Sequence, residues 1–360
     1  MTDTGIIDAL KHFNLSVPYL PFGNGHINST FILQSDPKYI LQLINTSIFN
    51  DPDALMNNIE AVTEHLRKKY AQFGYDPDRC TMKIIKTTDG KNYYKAPDGS
   101  CFRVYLYVKD TVWFNSVETP ERFYNAGLAF GDFQNMLSDF PSEKLFPVIP
   151  DFHNTPKRFE RFLDSVKLDK KNRAHTIRKE IEFVLARENL VGQITSKLDS
   201  GLIPTRVTHN DTKINNLLFD KASGKAVCVV DLDTVMPGSL LYDYGDALRF
   251  GATYSAEDEV DLDKVLFDLE LFESFSKGFL ESASSFITPE EIELLPLSAI
   301  LMTFECGMRF LTDYLDGDTY FRINRPTHNL DRARNQFKLV SDMETKRQAM
   351  SDVIKKILSV

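Results

Sequence analysis

The stretch from Arg206 to Val235 constrains this chain more than any other, because it is a strand-rich island among long helical stretches, with its polar residues confined to strand ends. Arg206-Val207-Thr208 leads into His209-Asn210-Asp211-Thr212-Lys213-Ile214-Asn215-Asn216. Leu217-Leu218-Phe219 and Ala226-Val227-Cys228-Val229-Val230 then lead into Asp231-Leu232-Asp233. Short apolar runs bounded by such polar clusters read as strands. The island therefore brings an imidazole, carboxamides and several carboxylates to the ends of a small β structure.

Phosphoryl transfer needs a carboxylate to orient the attacking hydroxyl and accept its proton. It also needs oxygen ligands for the magnesium that neutralises the β- and γ-phosphates. Asp211 fits the first role; Asn216 and Asp231, fifteen residues apart, fit the second. Each has a plainer reading alone: His209 as a loop-holding histidine, Asp211 as a helix cap, Asn215-Asn216 as a turn. Their joint spacing between apolar strands favours the chemical reading. Lys213, two residues after Asp211, is either a cation for the transferring phosphoryl group or a solvated surface lysine. Asp233 is either a further metal ligand or a turn residue. Downstream, Asp243-Tyr244-Gly245-Asp246 reads as a helix start with a capping pair, a positioning feature.

Upstream of residue 110 the order is three strands, a helix, then two or more strands. Residues 19–45 hold the first three, with Tyr39 to Ile44 as the third. From Asp53, read as an N-cap, Leu55, Met56, Ile59, Val62 and Leu66 share one helical face that ends near Tyr70. Thr81 to Lys86 and Cys101 to Val108 read as strands, with an extra one at Asn92 to Lys95. Helical stretches follow at 121–139, 173–190, 263–283 and 290–315. Two lobes are expected, residues 1–109 and 110–360, joined near Val108-Lys109-Asp110. A chain of 360 residues suits two such cores.

A net charge of -9 disfavours nucleic acid and anionic membranes as partners. The four cysteines are scattered singly and read as reduced, mostly buried thiols. Met1 to Phe13 lacks the apolar core of a leader, and no apolar run approaches the ~20 residues of a membrane span. A cytoplasmic location and a monomer are the expectations.

Together with Gly25-His26-Ile27-Asn28 and Glu305-Cys306-Gly307-Met308-Arg309-Phe310-Leu311, these motifs resemble the aminoglycoside phosphotransferase and choline kinase superfamily. More narrowly they resemble the N-acetylhexosamine 1-kinases, from the first strands to Asn329-Leu330. The resemblance implies an α+β, bilobal protein-kinase-like fold, with a small antiparallel-sheet lobe carrying one main helix and a larger, mostly helical lobe. It implies ATP and Mg2+ as cofactors and a small-molecule sugar, N-acetylglucosamine or N-acetylgalactosamine, phosphorylated at its anomeric hydroxyl. Asp211 would be the base at the sugar and Asn216 and Asp231 the magnesium ligands. His26, Phe250, Arg309 and Tyr320 would line the sugar pocket, and the Gly23–Gly25 turn would lie in the nucleotide hairpin.

One position departs from that pattern. The third strand usually carries a lysine for the α- and β-phosphates, and here it offers Gln42. Arg103 or Lys38 is the candidate replacement, with Glu60 as counter-ion. Two rival readings are a kinase of another hydroxyl acceptor (an aminoglycoside, choline or a homoserine-like alcohol) and a nucleotide-binding pseudokinase. The first would call for an acidic or aromatic-caged pocket, which Arg309 and His26 do not supply. Retention of Asp211, Asn216 and Asp231 opposes the second.

Overall fold

The computed structural model describes residues 3–23 and 27–359. The chain divides into two compact units. One comprises Met1–Val112, Asp139–Pro150 and Leu218–Met236; the other comprises Trp113–Ser138, Asp151–Leu217 and Pro237–Val360.

The first unit is built on an antiparallel sheet. Its strands are β1 (Tyr19–Pro21), β2 (Ser29–Leu33), β3 (Tyr39–Ile44), β4 (Ile84–Ile85), β5 (Tyr94–Lys95) and β6 (Cys101–Leu106). Their order is β1-β2-β3-β6-β4, with β5 also paired to β6. Because side chains alternate across a strand, the register sets two faces. Leu41 and Val104 pair on one face, and Gln42 and Arg103 on the other. Helix α1 (Asp3–His12) covers the first face, where Ile6, Ala9, Leu10 and Phe13 pack with Leu33, Leu41, Phe102 and Val104. The second face meets α2 (Pro52–Gln72) through Met56, whose Sδ lies 3.8 Å from Arg103 Nη1.

Asp51, not Asp53, caps α2: its carboxylate accepts from Ala54 N, and Pro52 fills the first turn, where a missing N–H costs nothing. Buried Asn58 ties the unit's other two segments to this helix. Its Nδ2 donates to Phe146 O at 2.7 Å and Val235 O at 2.9 Å, and its Oδ1 accepts from Phe146 N. A short helix, α3 (Pro77–Cys80), and a small sheet of β7 (Thr111–Val112), β9 (Leu217–Asp220) and β10 (Ala226–Val229) complete the unit.

The second unit is helical apart from short strands such as β8 (Arg206–Thr208). Its helices are α4 (Pro120–Met136), α5 (Thr155–Leu168), α6 (Arg178–Leu185), α7 (Thr195–Asp199), α8 (Leu240–Gly251), α9 (Leu269–Ala283), α10 (Pro289–Asp316) and α11 (His328–Leu358). α4 and α9 approach so closely that a Cβ on Gly127 would lie 2.2 Å from Phe275 O, so only glycine fits there. α10 packs against α5, α8 and α11. It is long and apolar enough to cross a membrane, which revises the expectation that no run qualifies, yet 83% of its most apolar window is buried in the protein. The helix expected over 173–190 is instead broken around α6, because only Ile177 and Val184 are buried there, too thin a stripe to hold one continuous helix. Cys101 and Cys228 are buried thiols, and Cys80 and Cys306 are half-buried.

Candidate active site

In the second unit the loop after β8 is held from below by α8. Ser239 caps that helix, and Asp243 and Asp246 lie buried inside it, so the expected capping pair is corrected to a pair of loop anchors. The Asp243 carboxylate accepts from His209 N at 2.8 Å, Asn210 N at 2.7 Å and Gln134 Nε2 at 2.6 Å. Burial raises its pKa, and these donors and the neighbouring His209 oppose that rise. Thr212 donates from its hydroxyl to Asp243 O and from its backbone to Asp246 Oδ2. Asn210 takes a left-handed φ of 65°, a conformation that persists only where the surroundings hold it. Asp243 and Asp246 are the functional residues that sequence reasoning misassigned. Their spacing of three, one helical turn on a face toward a polar loop, was the available signal.

Asp211 projects from this clamped loop and keeps about a third of its side chain exposed. Lys213 Nζ is 2.8 Å from Asp211 Oδ1, and Asn216 Nδ2 donates to Asp211 O at 2.8 Å and Oδ2 at 3.1 Å. Burial alone would raise the Asp211 pKa; Lys213 and Asn216 outweigh it and hold the carboxyl down at about 2. The group is thus a carboxylate with one oxygen toward a cation and the other toward an amide. Asn216 spends its N–H groups on Asp211, and its Oδ1, which accepts no hydrogen bond among the described residues, suits an oxygen ligand for a hard cation.

A second layer reaches the loop from α10. His153 Nδ1 lies 2.8 Å from Glu305 Oε1 and its Nε2 lies 3.4 Å from Asn210 O, while Thr155 Oγ1 donates to Glu305 Oε2. One turn further along α10, Arg309 makes no ion pair or hydrogen bond among the described residues. Its guanidinium carbon stands 5.3 Å from the Phe152 ring centre, 5.9 Å from Tyr320 and 5.6 Å from Phe321. Phe250 lines a different hollow of about 320 Å3, with Arg249, Glu257, Thr253, Asn335 and Gln336. Both features act on Cys306: Arg249, Glu257 and Arg309 all contribute to its electrostatics, and burial pushes its thiol up to about 11.

In the first unit, Arg103 and Asp233 come together as a buried ion pair, Nη1 to Oδ1 2.6 Å and Nη2 to Oδ2 2.9 Å. Gln42 Oε1 accepts from the same guanidinium. Glu60 is not its counter-ion: it pairs with Lys86 at 2.7 Å, which corrects that expectation, because Glu60 lies off the buried stripe of α2 that faces Arg103. Asp231 begins the 3-10 turn Leu232–Thr234 with a left-handed φ of 60°. Gly23 sits at φ 73° with open space around it, and Gly25 and His26 lie outside the described residues.

Among solved structures, the chain is similar to a microcompartment-associated aminopropanol kinase, at 14% identity and TM-score 0.62 over 97% of this chain and 99% of that one. It is similar to an aminoglycoside 2'-phosphotransferase-IIIa, at 13% and 0.59 over 94% and 99%, and to a Plasmodium vivax ethanolamine kinase, at 16% and 0.54 over 93% and 84%. At these identities the likeness shows the fold, which is protein-kinase-like. The sequence profile of the Phosphotransferase enzyme family matches residues 18–272, and with well over half its length matched the chain belongs to that family.

Proposed function

We propose that this chain is an ATP- and magnesium-dependent kinase that phosphorylates the anomeric hydroxyl of an N-acetylhexosamine, giving the sugar 1-phosphate and ADP. The observation that carries the reading is Asp211: a carboxylate kept ionised by Lys213, oriented by Asn216 and standing on a loop clamped by Asp243. As base it takes the proton of the acceptor hydroxyl, whose oxygen attacks the γ-phosphorus while the bond to ADP breaks. Lys213, with its Nζ 2.8 Å from Asp211 Oδ1, would lend positive charge to the transferring group. Asn216 and Asp231 would hold magnesium through their side-chain oxygens, and the ion would offset the charge of the phosphates.

Support for a neutral sugar comes from Arg309. A guanidinium with no ion pair or hydrogen bond among the described residues, although it senses the charge of Glu305, leaves its N–H groups free to donate to hydroxyl and carbonyl oxygens. The rings of Phe152, Tyr320 and Phe321 around it offer apolar faces to the C–H side of a pyranose. The alternative, a kinase of an amino alcohol or aminoglycoside, draws comparable support from the family match and from the aminopropanol, aminoglycoside and ethanolamine kinases that share the fold.

The test is ADP release from ATP and magnesium with separate acceptors. N-acetylglucosamine or N-acetylgalactosamine should give turnover in the range of about 1–100 per second, and aminoglycosides and ethanolamine little. Asp211→Asn should abolish turnover while leaving the fold intact. Absence of acceptor-dependent ADP with any sugar would overturn the sugar reading, and full activity in Asp211→Asn would remove Asp211 as base.

A further inference from the structure

The guanidinium of Arg103 is 1% exposed, and each of its three nitrogens faces a partner inside the protein. Nε donates to Gln42 Oε1 at 3.0 Å. Nη2 serves Gln42 Oε1 at 2.8 Å and Asp233 Oδ2 at 2.9 Å. Nη1 faces Asp233 Oδ1 at 2.6 Å and Met56 Sδ at 3.8 Å. At that burial the guanidinium has no open side for a phosphate oxygen. The Tyr105 ring, 5.2 Å from the guanidinium carbon, helps to enclose it.

What Arg103 grips is the loop that carries Asp231. Asp233 is 4% exposed and follows Asp231 by two residues inside the same tight turn. On its far side the turn is pinned again, where Asn58 Nδ2 donates to Val235 O. The same carboxylate reaches the hairpin between β1 and β2: Asn28 Nδ2 donates to Asp233 Oδ2 at 2.6 Å, and Asn28 Oδ1 accepts from Asn45 N at 2.9 Å. Gln42 closes the circuit by donating to Thr30 on β2. A non-glycine residue in the left-handed region, such as Asp231, keeps that conformation only while its neighbours enforce it.

We propose that Arg103 is a positioning residue: through Asp233 it fixes the turn that presents Asp231, and through Asn28 and Gln42 it fastens that turn to the nucleotide hairpin, without itself touching the nucleotide. Gln42 is then no deficit. A lysine at that strand position would place a second cation against Arg103, whereas the amide oxygen accepts two of its donors. The inference rests on the kinase reading, and it places Asp233 as the grip on the turn and not as a metal ligand.

The experiment is calorimetric titration of the full chain with a non-hydrolysable ATP analogue, once with magnesium and once with EDTA, for wild type, Arg103→Lys, Asp233→Asn and the pair Arg103→Met with Asp233→Leu. The paired apolar replacement guards against an unpaired buried charge that would unfold a single variant. Affinity in EDTA should stay within about twofold of wild type in all three, while the gain from magnesium falls by about 10- to 100-fold, as for other residues that orient a metal ligand. Arg103→Lys is the decisive variant, since it leaves Asp233 in place. Affinity lost equally in EDTA would make Arg103 a nucleotide ligand and overturn the proposal. An unaltered magnesium gain in Arg103→Lys beside its loss in Asp233→Asn would make Asp233 the metal ligand and overturn it too. Wild-type protein that binds no nucleotide would sink the kinase reading and the positioning role of Arg103 with it, an outcome distinct from both.

Discussion

Asp243 shows how one side chain sets the geometry of another that performs the chemistry. Two backbone N–H groups of the loop point at its carboxylate, and a third donor arrives from Gln134. An asparagine in its place offers one accepting oxygen and turns an NH2 toward a backbone N–H. Hydrogen bonds to a charged partner are worth about 1.5–3 kcal/mol, so Asp243→Asn should cost roughly 10- to 100-fold in kcat. The KM values for ATP and acceptor should hold, because neither ligand touches Asp243. Steady-state ADP release measures both, and a variant that moves KM and spares kcat would end the clamp argument. That Asp211 and Asn216 meet was legible in the sequence because one short loop fixes their spacing. Asp243 was not: an acid near a helix start looks the same whether it caps its own helix or anchors a distant loop. Arg103 was legible as the odd cation of the sheet but not in its target, because β6 is buried on both faces and its pattern does not say which way a side chain turns.

At the scale of elements, α10 carries the core on one face and Glu305, Cys306 and Arg309 toward the loop region on another. Glu305 is 1% exposed. Burial alone would raise its pKa; His153, Arg309 and Thr155 outweigh that and lower it, while Arg158 and Tyr242 are further groups that sense its charge. A carboxylate whose folded pKa is depressed adds stability above its unfolded value, about 4.5, and that stability drains away as pH falls through the lower folded value. Glu305→Gln should therefore flatten the acid limb of the stability curve below about pH 4.5. Denaturant unfolding at a series of pH values from neutrality downward reads this directly, and an unchanged limb would mean that Glu305 is not ionised in the folded chain. Helices α4, α9 and α10 and the strands over 19–45 were legible because their apolar periodicity is strong. α5 and α11 were not: α5 buries little beyond Phe159 and Phe162, and α11 mixes Asn329, Asn335 and Gln336 into its buried stripe.

For the whole molecule, the chain crosses between its two units after residues 112, 138, 150, 217 and 236. The segment bearing Asp231 belongs to one unit by packing, yet both its ends are covalently continuous with the other. Unfolding the first unit alone would leave that segment as a loop tethered at both ends, so we expect the chain to melt in one cooperative transition. A ligand at one hundred times its dissociation constant stabilises by about 2.7 kcal/mol. With about 2.1 cal/mol/K of unfolding entropy per residue, a 360-residue unit should gain about 4 °C in Tm from saturating ATP and magnesium. Were the first unit to melt by itself, its smaller entropy would turn the same free energy into roughly 9 °C on one of two transitions. Asp211→Asn, which alters the base and not the nucleotide contacts, should keep the full shift while losing turnover. Scanning calorimetry with and without the nucleotide decides between these outcomes: two separated peaks with only one moved would show that covalent interleaving does not couple the units.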